Sequence, residues 1–314
     1  MNPGDQLDDY RIDGVVAQSR TSVVYRGTDL RTHSPVAIKM PHPEAESDAT
    51  LTERLHREQE IGKTLSHPGI NKVVTEGTQT RVYVVTEWFG GEPLRQIISE
   101  QKKLRRERAI RIAVKVCDVL GYIHGHGIAH RNLRPEKILV RGEDEIKLTG
   151  LEFASREGDR RLTFTSLAQL VGASPYISPE ELTGGRADAR SDLYSLGVIL
   201  YEMLTGRLPF PGPDAYERLK QHPIPPRQLD PSISPQLQEV LYRALERQHR
   251  NRYANAHDFA QELQHLDRVG VAERSELRDW RRQRSATTRK VLLFTAILLL
   301  PLLIFALLLY FAPR

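Results

Sequence analysis

Residues 129–140 read Ala-His-Arg-Asn-Leu-Arg-Pro-Glu-Lys-Ile-Leu-Val, and this stretch decides the fold. Its first nine residues are mostly polar and include a proline, which is typical of a loop because proline has no backbone N–H to donate. Its last three residues are aliphatic, which predicts a short buried strand. We therefore expect a polar loop that runs directly into a strand.

Helix and strand patterns lie on both sides of this loop. Residues 104–126 carry apolar side chains at helical spacing, which predicts a long amphipathic helix that leads into the loop. Residues 145–149 predict a second strand after it, and residues 191–206 form a mostly apolar helical pattern. This half of the chain is therefore expected to be mostly helical.

The beginning of the chain has a different pattern. Residues 10–40 alternate apolar and polar side chains between Gly, Asp and Ser, which predicts two or three antiparallel strands. Residues 51–65 have helical spacing, and residues 71–74 and 81–85 predict a hairpin. A strand-rich part followed by a helix-rich part indicates an α+β fold.

The stretch at 129–140 resembles the catalytic loop of the protein kinase family, His-Arg-Asp-Leu-Lys-Pro-Glu-Asn followed by a hydrophobic strand. Val36-Ala37-Ile38-Lys39 and the helix at 191–206 resemble two further motifs of that family. The resemblance implies a kinase-like domain over residues 8–267 with two lobes. The small, mostly-β lobe with one helix covers about 8–87, and the large, mostly-α lobe covers about 88–267.

Several matched positions are those that stabilise the kinase fold. Glu58 lies nine residues before His67, at the spacing of the family's helix glutamate, so the resemblance implies an ion pair with Lys39. It also implies that Asp192 holds the backbone of the catalytic loop. The last implied pair joins Glu180, near the end of the activation segment, to Arg252.

The positions that carry out phosphoryl transfer in this family are substituted. Asn132 stands where the family has its aspartate base, and Arg134 stands where it has the loop lysine. Lys137 and Gly150 occupy the two positions whose side chains hold magnesium in the family. Glycine has no side-chain oxygen, and an ammonium repels a divalent cation, so magnesium binding is doubtful and no metal site is predicted. We expect no intact catalytic residue.

The resemblance places a nucleotide cleft between the lobes. The glycine-rich loop of the family is replaced by small residues, which still leave room for adenosine but position phosphates poorly. We therefore expect that ATP can bind without strong dependence on a metal ion. The implied nucleotide-binding residues are Ala17, Ser19, Ser22, Val24, Ala37, Lys39, Thr86, Glu87 and Leu139.

The C-terminal part of the chain predicts a membrane anchor. Residues 291–312 contain no charged side chain and span roughly 33 Å as a helix, which matches the hydrocarbon core of a bilayer. Residues 268–290 form a connector that becomes basic just before this span, which places the kinase-like domain in the cytoplasm. Only Pro313 and Arg314 follow, so we expect a single-pass protein without an outer domain, which self-associates through its span.

Two functions remain open. The first is a membrane-anchored pseudokinase that acts as a signalling scaffold or regulator of other signalling proteins, such as an active kinase. The alternative is an active Ser/Thr protein kinase that transfers the γ-phosphate of ATP with atypical metal and base residues, using Glu152 or Glu143 as a metal ligand. We expect no nucleic-acid partner, because the membrane explains the basic run. The single cysteine, Cys117, excludes an internal disulfide.

Overall fold

The computed structural model describes residues 1–75, 77–156, 174–210, 212 and 219–272. The predicted membrane helix at 291–312 and most of the connector at 268–290 lie outside these ranges. Within the described ranges, no helix combines the length and the apolar character that a bilayer crossing requires.

The small lobe contains a five-stranded antiparallel sheet in the order β1-β2-β3-β4-β5. Side chains alternate across it as a half-buried sheet requires. In the fourth strand Val36, Ile38 and Met40 are buried, whereas Ala37 and Lys39 between them are partly exposed on the opposite face. The five strands are Gln6–Leu7, Tyr10–Gln18, Ser22–Asp29, Pro35–Pro41 and Val84–Glu87.

One helix packs on this lobe. Helix α1 covers Ala49–Thr64 and begins after Asp48, whose carboxylate accepts hydrogen bonds from the backbone N–H groups of Thr50 and Leu51. Its buried face includes Leu55 and Glu58, so the helix presents one carboxylate to the interior of the lobe. The sequence predicted this helix within two residues at each end.

The large lobe is mostly helical and contains the main hydrophobic core. Two long helices, α3 (Arg106–Gly125) and α5 (Ala189–Thr205), form its centre, and α5 is buried along almost its entire length. Helix α7 (Pro235–Ala244) approaches α5 closely at Gly197, where a Cβ would lie only 2.7 Å from the Cβ of Ala244. Helices α2–α8 are Leu94–Gln101, Arg106–Gly125, Pro179–Leu182, Ala189–Thr205, Pro226–Leu229, Pro235–Ala244 and Ala256–Gln264.

Two small antiparallel sheets carry the loop at 129–140. One has the order β6-β8-β9 and the other pairs β10 with β7. The loop therefore starts at the end of β7 and enters β8, and β9 returns beside β8 towards the same place. The strands β6–β10 are Glu92–Pro93, Ile128–Ala129, Ile138–Arg141, Glu145–Leu148 and Ser155–Arg156.

The predicted hairpin between residues 71–74 and 81–85 is only partly regular. Its first arm makes an isolated bridge between Val73 and Thr86. Two backbone hydrogen bonds support the bridge, from the N–H of Val74 to the Val85 carbonyl at 2.8 Å and from the N–H of Glu87 to the Lys72 carbonyl at 2.9 Å. The Thr75 hydroxyl oxygen accepts the backbone N–H of Val85 at 2.7 Å, in place of a carbonyl from a paired strand. The Thr75 side chain thus accepts the N–H of Val85, which a backbone carbonyl would accept in a longer pair of strands. The regular pairing therefore does not extend to Thr75.

Candidate active site

The loop at 129–140 is held by one buried carboxylate from α5. Asp192 accepts the backbone N–H groups of His130 and Arg131 at 2.8 Å each, and the ring of His124 lies 2.8 Å away. Arg131 has a φ of 62°, a left-handed conformation that is costly for a side-chain-bearing residue. Burial raises the pKa of Asp192, but the His124 contact outweighs it and holds the pKa below its ordinary value. The ionised carboxylate thus fixes a strained loop.

Lys39 and Glu58 meet between β4 and α1. The Lys39 Nζ lies 2.7 Å from Glu58 Oε2, and both side chains are largely buried. The sheet therefore presents the ammonium group of Lys39 on the face where we expected the nucleotide to bind. Helix α1 supplies the counter-charge, the carboxylate of Glu58. Two residues that are 19 positions apart in the chain are joined as the resemblance implied.

Gly150 and Lys137 occupy the same small space at the end of β9. Gly150 has a φ of 83°, and a Cβ on it would lie 2.6 Å from the Cδ, 2.8 Å from the Cε and 2.8 Å from the Nζ of Lys137. The Lys137 side chain thus lies where a side chain at position 150 would begin. These two positions offer an ammonium and a bare backbone, neither of which supplies the side-chain oxygen that magnesium prefers.

Glu152 connects the lysines of both lobes. Its Oε1 lies 2.7 Å from Lys137 Nζ, and its Oε2 lies 3.1 Å from Lys39 Nζ. The amide nitrogen of Asn132 also donates to Oε1, at 3.2 Å. The sequence suggested Glu152 only as an alternative metal ligand, but both of its oxygens are already in contact with cations. Charge could have predicted the contact of Glu152 with Lys137, because a lysine in place of a metal ligand requires a nearby carboxylate.

Burial and charge act together on this cluster. Burial lowers the pKa of Lys39, but the carboxylates of Glu152 and Glu58 outweigh it and raise the pKa above its ordinary value. Burial raises the pKa of Glu152, yet Lys137 and Lys39 hold it well below the usual range. Burial lowers the pKa of Lys137 and raises that of Glu58. Glu152 is therefore ionised and is the common counter-ion of two lysines.

Asn132 and Arg134 have separate partners. The Asn132 amide nitrogen donates to Glu152, whereas Arg134 lies 3.9 Å from Glu136. The other suggested metal ligand, Glu143, is exposed in the turn after β8, at the opposite end of the β8–β9 hairpin from Lys137. The structure therefore does not bring Glu143 to the site.

The turn that replaces the glycine-rich loop is bonded to itself. The backbone N–H of Ser19 donates to the carbonyl of Ser22 at 2.8 Å, and the N–H of Ser22 donates to the Ser19 hydroxyl at 3.0 Å. The N–H of Thr21 also donates to that hydroxyl, at 3.3 Å. Backbone amides that would face a phosphate in a glycine-rich loop are thus already satisfied by serine oxygens.

The remaining predicted nucleotide-binding residues of the small lobe share one face of the sheet. Val24 lies opposite both Ala17 and Lys39, and Ala37 lies opposite Thr86, and directly paired residues point to the same side. A bulge in β2 makes Val16 an extra residue beside Ala17, and Val16 is 50% exposed.

Two further predicted residues lie at the junction of the lobes. Leu139 is partly exposed in β8 of the large lobe, between buried neighbours. Glu87, at the end of β5, accepts the backbone N–H of Lys72 at 3.1 Å and is bound by the Lys147 ammonium. Its carboxylate therefore ties the end of the sheet to β9.

Glu180 and Arg252 form a two-fold ion pair away from the cleft. The two terminal nitrogens of Arg252 donate to the two oxygens of Glu180 at 2.8 and 2.7 Å, and the arginine side chain is 0% exposed. The Ser191 hydroxyl donates to the same carboxylate at 2.6 Å. Burial raises the pKa of Glu180, but the bonds from Arg252 outweigh it and lower the pKa overall.

Comparison with known proteins gives consistent results. The family model described as protein kinase domain matches residues 10–266. The Serine/threonine-protein kinase PknB of Mycolicibacterium smegmatis is 32% identical over 270 residues, 83% of this chain and 43% of that protein. The Probable serine/threonine-protein kinase SCO3848 of Streptomyces coelicolor is 31% identical over 264 residues, 81% of this chain and 39% of that protein. This chain thus spans less than half the length of these relatives.

The fold has a counterpart among solved structures. The crystal structure of the Mycobacterium tuberculosis PknI kinase domain superposes with a TM-score of 0.67. The superposition covers 85% of this chain and 99% of the other, at 21% sequence identity. At that identity the likeness concerns the fold alone, and it confirms the two-lobed arrangement.

Proposed function

This chain belongs to the protein kinase family, and we propose that within it the chain works as a membrane-anchored pseudokinase, a scaffold or regulator in signalling. One observation carries the proposal: the Lys137 side chain fills the space from which a side chain at position 150 would project. A metal ligand at either position is thereby lost. The fold-stabilising contacts of Lys39, Asp192 and Arg252 are all present.

The loss affects the parts on which phosphoryl transfer depends. The reaction relies on positioning and on neutralising charge, with magnesium bridging the phosphates and an aspartate accepting the substrate's proton. The amide of Asn132 is not a base, and its nitrogen already donates to Glu152. Each change removes a separate contribution, so the remaining cleft is suited to binding rather than to chemistry.

Members of this family bind ATP, and we extend that property to this chain in a modified form. The sheet face around Ala37 and Thr86 is available for an adenine ring, and Lys39 ends beside it. Because position 150 lacks a side chain and position 137 is cationic, we propose that nucleotide binds here without strong dependence on magnesium. The ammonium of Lys137 supplies positive charge on the side from which the metal is missing.

The alternative function is an active Ser/Thr protein kinase with atypical metal and base residues. The observation that favours it is the presence of a buried, ionised carboxylate, Glu152, two residues after Gly150. Against it stands the contact of that carboxylate with two lysine ammonium groups. A metal ion at Glu152 would have to displace both of them.

Incorporation of phosphate separates the two functions. The full chain, reconstituted in lipid nanodiscs, is expected to transfer no labelled γ-phosphate to itself or to a generic basic protein in magnesium or manganese, because neither a base nor a metal ligand is in place. Lys39→Met is the matched variant. Incorporation by the unaltered chain that Lys39→Met abolishes would reject the pseudokinase, and its loss in Glu152→Gln would then support the alternative.

We propose that residues 291–312 anchor the protein in the cell membrane with the kinase-like domain in the cytoplasm. The uncharged run and the basic residues before it support this. The full chain is expected to stay in the membrane fraction after carbonate washing, and a chain ending at residue 290 is expected to be released from it. Equal release of both chains would contradict the anchor, and protease treatment of sealed vesicles tests the orientation.

The proposed partners are other signalling proteins, including an active kinase, and a second copy of the chain through its span. Support comes from the retention of a folded kinase surface together with loss of the metal ligands. Crosslinking in native membranes, followed by mass measurement in detergent, tests self-association, and a strictly monomeric protein in both settings would reject it.

A further inference from the structure

The carboxylate of Glu152 makes the contacts that an anionic ligand of this cleft would make. It lies between ammonium groups from both lobes, 3.1 Å from Lys39 Nζ and 2.7 Å from Lys137 Nζ. Asn132 adds a neutral donor at 3.2 Å. Two hydrogen-bond donors and one further ammonium in ionic contact converge on one pair of oxygens, and this geometry also suits a phosphate group.

The charges of the cleft cancel in this arrangement. When all four side chains are ionised, Lys39 and Lys137 contribute two positive charges and Glu58 and Glu152 contribute two negative charges, all on largely buried side chains. A polyphosphate that enters a neutral cluster gains little net attraction. If the Glu152 side chain turns away, both ammonium groups become available and only the Glu58 charge remains beside Lys39.

The two positions whose side chains hold magnesium in the family cannot take part in this exchange. Gly150 has no side chain, and the side chain at 137 is itself a cation. Within the described residues, no cluster of His, Cys, Asp and Glu that could hold a metal ion is found. Competition between Glu152 and an incoming phosphate therefore involves only the two lysines.

We propose that Glu152 determines the specificity of this cleft by competing with nucleotide phosphates for Lys39 and Lys137. The inference rests on the proposed nucleotide site and deepens it: metal-free nucleoside di- and triphosphates bind only by displacing the Glu152 carboxylate. Phosphate groups consequently add little affinity beyond that of adenosine. Magnesium adds no affinity, because the cleft already contains its own cation at Lys137.

The test uses calorimetric titration of the full chain in nanodiscs of phosphatidylcholine. Adenosine, ADP and ATP are titrated in EDTA and in magnesium. For Glu152→Gln, which keeps the shape but removes the charge, metal-free ATP is expected to bind at least about tenfold more tightly than to the unaltered protein, with adenosine unchanged. Glu145→Gln, which neutralises an exposed partner of Arg141, is the matched control and should change neither affinity.

The outcomes are distinct. Equal or weaker ATP binding by Glu152→Gln overturns the inference, as does an absence of binding to both proteins. If Glu152→Gln does not fold, the unaltered protein still decides: ATP binding in EDTA more than about a hundredfold tighter than adenosine contradicts competition by Glu152. These affinities do not measure phosphate transfer, so the pseudokinase proposal is tested separately by the incorporation of labelled γ-phosphate.

Discussion

Arg252→Ala is expected to lower the free energy of unfolding by about 3–5 kcal/mol, because it leaves the carboxylate of Glu180 without its buried partner. The arginine side chain is 0% exposed and donates to both oxygens of Glu180. It also donates to the backbone carbonyls of Glu246, Arg247 and Arg190. Its removal therefore leaves one buried charge and three carbonyl groups with fewer donors.

Urea denaturation followed by circular dichroism measures this loss. Arg106→Ala is the control, because Arg106 pairs with Glu107 at an exposed position and its removal should change stability by at most about 0.5 kcal/mol. A loss of less than about 1 kcal/mol in Arg252→Ala would show that the buried pair does not stabilise the lobe.

The same variant has a predictable pH dependence. In the folded protein the pKa of Glu180 is lowered below its ordinary value of 4.5. A carboxyl group with a depressed pKa contributes stability above its unfolded pKa and loses that contribution as the pH falls through the folded pKa. The stability difference between the unaltered protein and Arg252→Ala should therefore be full at neutral pH and shrink below about pH 4.5.

Gly150→Ala is expected to cost about 2–4 kcal/mol, the second large effect. Part of it, about 1–2 kcal/mol, is the left-handed backbone that glycine adopts at a φ of 83°. The remainder, about 1–2 kcal/mol, comes from displacing Lys137, whose Cδ lies 2.6 Å from the added Cβ, away from Glu152.

Two matched variants separate these contributions. Gly127 has a φ of 69°, and among the described residues nothing lies within 4 Å of a Cβ added to it, so Gly127→Ala should show the backbone cost alone. In a Lys137→Ala background the space beside Gly150 is free, and Gly150→Ala should then cost only about as much as Gly127→Ala. Equal costs of Gly150→Ala with and without Lys137 would show that the two positions are independent.

The sequence was sufficient for features that depend on regular periods. The apolar pattern at 191–206 predicted α5, and the alternation over 10–40 predicted two or three strands, where the structure has the three strands β2–β4. Those patterns are local, so they can be recognised without knowledge of the rest of the fold. The pairing of Glu58 with Lys39 was implied by the resemblance to the kinase family, in which the helix glutamate has the same spacing to a histidine.

Other features depend on where side chains point. Thr75 replaced a strand pairing with a hydroxyl contact, and a bulge moved Val16 beside Ala17. The bridging position of Glu152 depends on three elements that meet only in the folded chain: β4 with Lys39, the turn with Lys137, and the segment after Gly150. No sequence period encodes such a meeting, and charge balance was the single available indication.

The shared space of Lys137 and Gly150 also has a consequence for the history of this chain. A first step that restores a side chain at position 150 meets the lysine, and a first step that removes the lysine takes a cation from Glu152. Either path back to an oxygen ligand begins with a loss of stability, whichever change comes first. We therefore expect each of the two residues to disfavour replacement of the other.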